Sequence, residues 1–338
     1  MKLLPRDKLL ILSGFLLLFF ITFLYWFFLV PPPNISSAKI IFIKKGTHLK
    51  KVSEILEQEG VIKNKHFFTF LATALGKKTK IRAGEYEFHS RMLPLDVLDA
   101  LVKGQLKRRL VTIPEGYTLS QIAQLLEDLN LIEKKGFLQK ATSPDLINSL
   151  GLSQLAGPTL EGYLFPDTYH LFREVDPEEV IKMMVLRFKK IFNSDLAQRA
   201  PELGISEREV VVLASIIEKE TSLSEEKPLI AGVFHNRLKK KIPLQSDPTV
   251  IYGIKNFNGN LTKEDLMRPT PYNTYLKVGL PPTPICNPGK ESLLAAIHPA
   301  SVPYLYFVSK NDGSHYFSSD LEEHNRAVLK FQKYPRKK

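Results

Sequence analysis

The apolar positions of the chain change period three times, and each change predicts a different kind of element. From Leu9 to Val30 run 22 residues without a charge, ending in Tyr25, Trp26, Phe27 and Phe28. That length and those aromatic residues predict a membrane-spanning helix. Pro31, Pro32 and Pro33 follow it, and the run exceeds the about 7–15 apolar residues of a secretory signal, so it is read as a retained anchor although Ser36-Ser37-Ala38 resembles a cleavage site. Residues 43–62 and 113–132 then align without a gap at an offset of 70. Ile43/Ile113, Gly46/Gly116, Leu49/Leu119, Leu56/Leu126, Glu57/Glu127 and Ile62/Ile132 are identical. Each copy predicts a strand, a turn at the glycine and a short amphipathic helix. Between the copies, Phe67–Leu75 continues as helix, Arg82–Phe88 alternates like a strand, and a further helix is expected near Leu95–Val102.

Beyond about residue 140 the pattern turns to longer helices joined by loops rich in Pro, Asn, Tyr and Gly. Val180–Phe192 and Glu207–Glu220 are helical by period, and Ser206-Glu207-Arg208-Glu209 is a capping box opening the second. Tyr304–Ser309 and His315–Ser318, separated by Lys310-Asn311-Asp312-Gly313-Ser314, predict a hairpin, and an amphipathic helix from Leu321 to about Gln332 closes the chain. The fold class expected is α+β. The segments expected are a tail at 1–8, a transmembrane helix at 9–30, a linker at 31–39, a small α/β repeat module at 40–154 and a mainly helical domain with a β-hairpin at 155–335.

Charge sharpens this division. The 338 residues hold 47 Lys+Arg against 35 Asp+Glu, and residues 1–112 hold 19 of the former and 8 of the latter. The basic excess thus belongs to the first third, where Lys77, Lys78, Lys80, Lys107, Arg108 and Arg109 would face anionic lipid, an acidic wall polymer or plain solvent. Lys2, Arg6 and Lys8 before the apolar run are matched by Lys39, Lys44 and Lys45 after it. A tail of eight residues against about 300 beyond favours a cytoplasmic N-terminus and an external domain. That placement, and the lack of any nucleic-acid-binding signature, argue against nucleic acid as a partner. The lone Cys286 excludes an internal disulfide and a Cys-based zinc site.

Candidate chemistry concentrates in the second domain. Val210–Ile217 is apolar or small throughout, which predicts a buried helix, and Glu218-Lys219-Glu220-Thr221 follows at its end. Glu218 lies over Val211, Ala214 and Ser215 and Glu220 over Ile216 and Ile217, so spacing does not choose between them. Burial, the helix dipole and the neighbouring Glu220, Glu225 and Glu226 are expected to keep Glu218 protonated, as a general acid requires. Salt bridging or capping of the helix end is the alternative. Polar and aromatic residues at Phe234–Leu238, Leu244–Gly253 and Tyr272–Tyr275 are read as loops that suit a sugar groove. Gln245, Asn236, Thr249, Tyr252 and Asn273 are candidate substrate contacts, and Glu220 and Asp247 are expected to hold hydrogen bonds there. Ser224-Glu225-Glu226-Lys227 spells S-x-x-K, but the chain has neither K-T-G nor S-D-N. No H-E-x-x-H, Gly-rich phosphate loop or G-x-S-x-G occurs, and the His residues lack metal-ligand spacing, so no cofactor and no metal are expected.

The first repeat resembles the small peptidoglycan-binding LysM module. The chain as a whole resembles the YceG-like family of endolytic murein transglycosylases, also called MltG. The motifs that carry the likeness are Leu160–Tyr169, Ala214–Thr221, Leu244–Gly253, Tyr272–Tyr275 with Gly279-Leu280-Pro281-Pro282, and Tyr304–Val308. The resemblance implies a lyase that cuts the MurNAc-β-1,4-GlcNAc bond inside nascent glycan strands and leaves a 1,6-anhydro-MurNAc end, terminating strand growth. It maps the catalytic acid/base onto Glu218. It also implies a single-pass cell-membrane protein with an extracytoplasmic catalytic domain, working beside peptidoglycan polymerases or penicillin-binding proteins. The alternatives are a hydrolytic muramidase, whose product carries one more water, and a noncatalytic peptidoglycan-binding scaffold.

Overall fold

A computed structural model describes residues 5–28, 38–89 and 92–333. The tail expected at 1–8 lies in part, and the linker expected at 31–39 for the most part, outside these residues. The apolar run falls on helix α1 (Pro5–Phe28), where the large side chains from Leu10 to Phe23 are exposed. Among the described residues no helix is long and apolar enough to cross a membrane.

Contacts divide the chain into two compact units, Met1–Arg109 with Phe172–Glu174, and Leu110–Leu171 with Val175–Lys338. The first holds β1 (Lys39–Ile43), α2 (Leu49–Gln58), α3 (Lys65–Ala74), β2 (Gly84–Phe88) and α4 (Pro94–Lys103). Strands β1 and β2 pair antiparallel, Ile41 opposite Tyr86, over a core that includes Val52, Leu56, Phe68, Phe88 and Leu101. The buried Glu85 carboxylate accepts two hydrogen bonds from Arg109, and Arg173 stands 3.6 Å from it and 4.1 Å from the Phe42 ring centre. Those contacts explain why the short segment 172–174 belongs to this unit.

The second unit runs β3 (Arg109–Thr112, its first residue belonging to the first unit), α5 (Leu119–Asp128), α6 (Lys134–Ala141), α7 (Pro144–Ser149), β4 (Thr168–Leu171), α8 (Pro177–Ile191) and α9 (Ser194–Ala197). It continues with α10 (Glu207–Glu220), α11 (Lys227–Lys239), α12 (Asp247–Tyr252), α13 (Lys263–Leu266), α14 (Lys290–Ile297), the β5–β6 hairpin (Tyr306–Ser309, His315–Ser318) and α15 (Leu321–Val328). A turn of π-helix, Leu329–Lys333, replaces the last stretch of the final helix. Small sheets among many helices make the chain α+β.

The repeat is visible in three dimensions. Gly46 and Gly116 both take positive φ, +85° and +75°, which the turn before each helix needs and which glycine adopts without Cβ strain. The identical Glu57 and Glu127 do the same work, each accepting a hydrogen bond at 2.9 Å from the backbone N–H that opens the next helix, at Lys65 and Lys134. Leu49/Leu119, Val52/Ile122 and Leu56/Leu126 are buried in both copies. The two copies nevertheless belong to different units. Leu119, Ile122, Ala123 and Leu126 sit in one hydrophobic core with Val210–Ala214, Ile216 and Ile217, so the chain divides near residue 110 rather than at the expected 154/155.

Candidate active site

Helix α10 is capped as its sequence predicts: Ser206 and Glu209 exchange side-chain to backbone hydrogen bonds. Every residue from Val210 to Ile217 is buried, so the helix runs through the core and emerges at its first turn, Glu207–Glu209, and at its C-terminal end. Positions 218 and 220 are about 200° apart around the helix axis. Their carboxyl groups consequently enter different surroundings.

Glu218 joins three helices. Lys227, at the start of α11, brings its Nζ to 3.3 Å from both carboxyl oxygens. The Gly289 N–H, which caps α14, donates to Oε2 at 2.9 Å, and the Ser292 hydroxyl donates to the same oxygen at 2.6 Å. The Glu218 and Lys227 side chains are 7% and 4% exposed, which makes this a buried, satisfied ion pair. Glu115 lies 4.0 Å from the same ammonium, and its carboxyl is pushed up by burial and by the Glu218 charge. The expected setting of Glu218, burial among like charges, is thus replaced by a cation and two further donors. Glu226, expected beside it, instead accepts from the His315 N–H at 2.8 Å and pairs with His315 Nδ1 at 2.7 Å. That pair ties the β5–β6 hairpin to the start of α11.

Glu220 points the other way, into a cavity of about 420 Å³ that it lines together with Arg237, Gln245, Asp247, Tyr275, Tyr306 and other residues. Glu218 is not among the residues lining that cavity. Burial pushes the Glu220 carboxyl up to about 7, and the Asp247 charge adds to this. The hydroxyl of Ser246, which donates to Oε1, and the Arg237 charge oppose it. The carboxyl pushed toward neutrality in this cleft is that of Glu220. Asp247 accepts a 2.6 Å hydrogen bond from the Tyr275 hydroxyl, whose own proton is held more tightly because of burial and this contact.

One cation holds the cleft walls. Arg237 donates through Nε to the Leu305 carbonyl at 2.6 Å and through Nη1 to the Pro243 and Leu244 carbonyls at 3.1 and 2.8 Å. Nη1 also reaches Gln245 Oε1 at 3.4 Å. Gln245 is held at φ +52°, an uncommon conformation for a side chain with a Cβ, with its N–H on the Thr274 carbonyl at 3.0 Å.

Of the expected substrate contacts, Gln245, Glu220 and Asp247 meet in the cleft. The others support it or lie elsewhere. Asn236 spends its amide on the Val302 and Tyr304 carbonyls, anchoring the strand that carries Tyr306. Thr249 is fully buried, hydrogen-bonded to Ser246 and Thr274. Asn273 is also fully buried, and it donates to the Leu266 and Arg268 carbonyls and accepts from the Tyr275 N–H. Tyr252 reaches the second raised carboxyl: its hydroxyl donates to Glu161 at 3.2 Å. Glu161, pushed up to about 7 by burial, also accepts from the Leu119 N–H and the Asn287 amide, so it acts as a buried cap on α5. Residues 234–238, expected as loop, lie in α11, and 247–252 form α12.

Arg237, Ser246, Tyr275, Tyr306 and His324 were not singled out by sequence. The first four sit inside stretches that were, and only the fold tells which member of each stretch faces inward. Among the described residues no three His, Cys, Asp or Glu side chains are grouped so as to hold a metal ion.

This carboxyl-bearing cleft lies inside residues 41–330, which match the model of the YceG-like family. The chain belongs to the YceG-like family. Its relatives include the endolytic murein transglycosylase of Bacillus subtilis, 33% identical over 86% of this chain and 84% of that protein. The endolytic murein transglycosylase of Streptococcus pneumoniae is 31% identical over 85% of this chain and 57% of its own longer one. A crystal structure of a YceG-like protein from Listeria monocytogenes superposes with a TM-score of 0.59 at 32% identity, covering 86% of this chain and 99% of that one. Membership of the YceG-like family extends over both compact units.

Proposed function

We propose that this YceG-like protein is a peptidoglycan lytic transglycosylase whose acid/base is Glu220. The observation that carries this reading is a single carboxyl raised to about 7 and lining a cleft of sugar size. The protonated Glu220 gives its proton to the glycosidic oxygen between MurNAc and GlcNAc. The C1–O bond breaks, and its electron pair stays with that oxygen as the 4-hydroxyl of GlcNAc. The C6 hydroxyl of the muramyl residue then attacks C1, and its proton passes to the Glu220 carboxylate, closing the 1,6-anhydro ring and restoring the acid. No water is consumed. Ser246 and Arg237 are placed to stabilise the carboxylate while the proton is away.

Glu218 is assigned the junction of α10, α11 and α14 instead of the chemistry. The anchor is proposed from the uncharged run Leu9–Val30 and the aromatic residues that end it. With the N-terminus cytoplasmic, the catalytic unit is extracytoplasmic and works on nascent strands beside their polymerases, ending elongation by cutting within the strand.

Asp247 favours a second reading, because a second carboxyl in the same cleft is what a water-using muramidase needs. Digestion of purified peptidoglycan with product mass analysis tests both. An anhydro product lost in Glu220→Gln and kept in Glu218→Gln supports the proposal. A product heavier by one water selects the muramidase, and unimpaired cleavage by Glu220→Gln overturns the acid. No cleavage by the intact protein leaves the wall-binding scaffold.

A further inference from the structure

Tyr306, in the wall of the cleft, carries a neighbour that the proposed chemistry leaves idle. The His324 ring of α15 stacks on it, 5.2 Å between centroids with 27° between planes, and lines the same cavity as Glu220. His324 Nδ1 is buried and has no hydrogen-bond partner. Among the described residues Nε2 has no hydrogen-bond partner either, but it is not one of the buried unpartnered atoms, so it is the ring nitrogen with access to solvent.

This arrangement decides where the single proton sits. A proton on Nδ1 would bury an N–H with nothing to accept it, whereas on Nε2 it faces water or a ligand. A second proton would create the same orphan donor. Burial and the charge of Arg237 also push the imidazole's proton affinity down, in keeping with a neutral ring.

We propose that His324 is a glycan-binding residue: its neutral imidazole is protonated on Nε2 and donates a hydrogen bond to an acceptor oxygen of an N-acetyl amino sugar in the cleft. The acetamido carbonyl is the strongest neutral acceptor that such a sugar offers. The proposal rests on reading this cleft as a glycan site, but not on the identity of the acid.

The test uses the full-length protein in detergent with ¹⁵N-labelled histidine, His324 being assigned through the signal lost in His324→Gln. At pH 7 we expect a protonated Nε2 and a bare Nδ1, with the Nε2–H signal shifting as N-acetylglucosamine tetramer is added. A proton on Nδ1, or no shift with the sugar, overturns the proposal. In cleavage at low strand concentration, His324→Gln, whose amide reaches the place of Nε2, is expected to lose less activity than His324→Phe. His324→Phe keeps the stack but loses the donor, and a fall of about tenfold is expected. Equal losses in the two variants also overturn it. Because sugar titration needs no cleavage, a persisting His324 shift alongside an active Glu220→Gln protein would discard the acid assignment and keep the binding role.

Discussion

Two carboxyl groups two residues apart on one helix end differ in almost every physical respect. At the Glu218 junction each polar group meets a partner: an ammonium, a backbone N–H and a hydroxyl converge on the carboxyl from two other helices. At the Glu220 cleft the carboxyl has one hydroxyl donor, a neighbouring negative charge and open volume. The first arrangement holds helices together, and the second leaves a proton available for use. Residue type and helical period are the same for both; what separates them is which neighbours arrive from α11, α14 and the 243–247 segment.

The comparison is broken most directly by Glu220→Gln. The amide keeps the shape of the protonated acid, so cleavage should fall by about 10²-fold or more while the urea midpoint measured near pH 4.5, where Glu220 is protonated, barely moves. If folding is lost instead, Glu220 belongs with Glu218. Glu218→Gln should do the reverse. It leaves the buried Lys227 ammonium with only the more exposed Glu115 carboxyl, 4.0 Å away, as counter-charge, a loss of about 3 kcal/mol by denaturant titration, with the rate per folded molecule retained. Adding Lys227→Met should recover part of that loss, since the pair then disappears together.

The pH dependence gives a finer test. Glu220 must carry its proton to act, so activity should fall as pH rises through about 7. Asp247→Asn removes a charge that raises the Glu220 value, and the falling limb should move to lower pH. Stability follows the same sign. Glu220 and Glu161 both bind protons more tightly when folded than the ordinary 4.5. Their contribution is complete below about pH 4.5 and lost as pH rises through about 7. Denaturation at a series of pH values should show this fall, flattened in Glu220→Gln. The smallest effect is expected from Tyr252→Phe, which removes one of several donors to Glu161. It should cost about 1 kcal/mol and leave the activity limb in place.

Much of this was legible in the chain. The buried helix Glu207–Glu220, its cap, the hairpin and the repeat all follow from local period and turn chemistry, and the structure has them close to the expected bounds. What could not be read was long-range. The Lys227 ammonium lies nine positions from Glu218, but Gly289 and Ser292 are over seventy away, and no periodicity announces that they close around it. The spacing that left 218 and 220 equivalent carries none of these long-range partners. Asn236, Thr249 and Asn273 are polar residues in these stretches, and their side chains hydrogen-bond within the scaffold. The division of the chain was misplaced because the second repeat's apolar stripe is covered by the core around α10, a pairing of surfaces distant in sequence.

The shared glutamate of the repeat, Glu57 in one copy and Glu127 in the other, lets each helix hairpin secure its own following turn. A motif that is locally self-sufficient can be used in two different settings, one beside the strands β1 and β2 and the other built into the core of the second unit. What the two copies keep in common is the turn glycine, the buried apolar stripe and the glutamate that fastens the next helix.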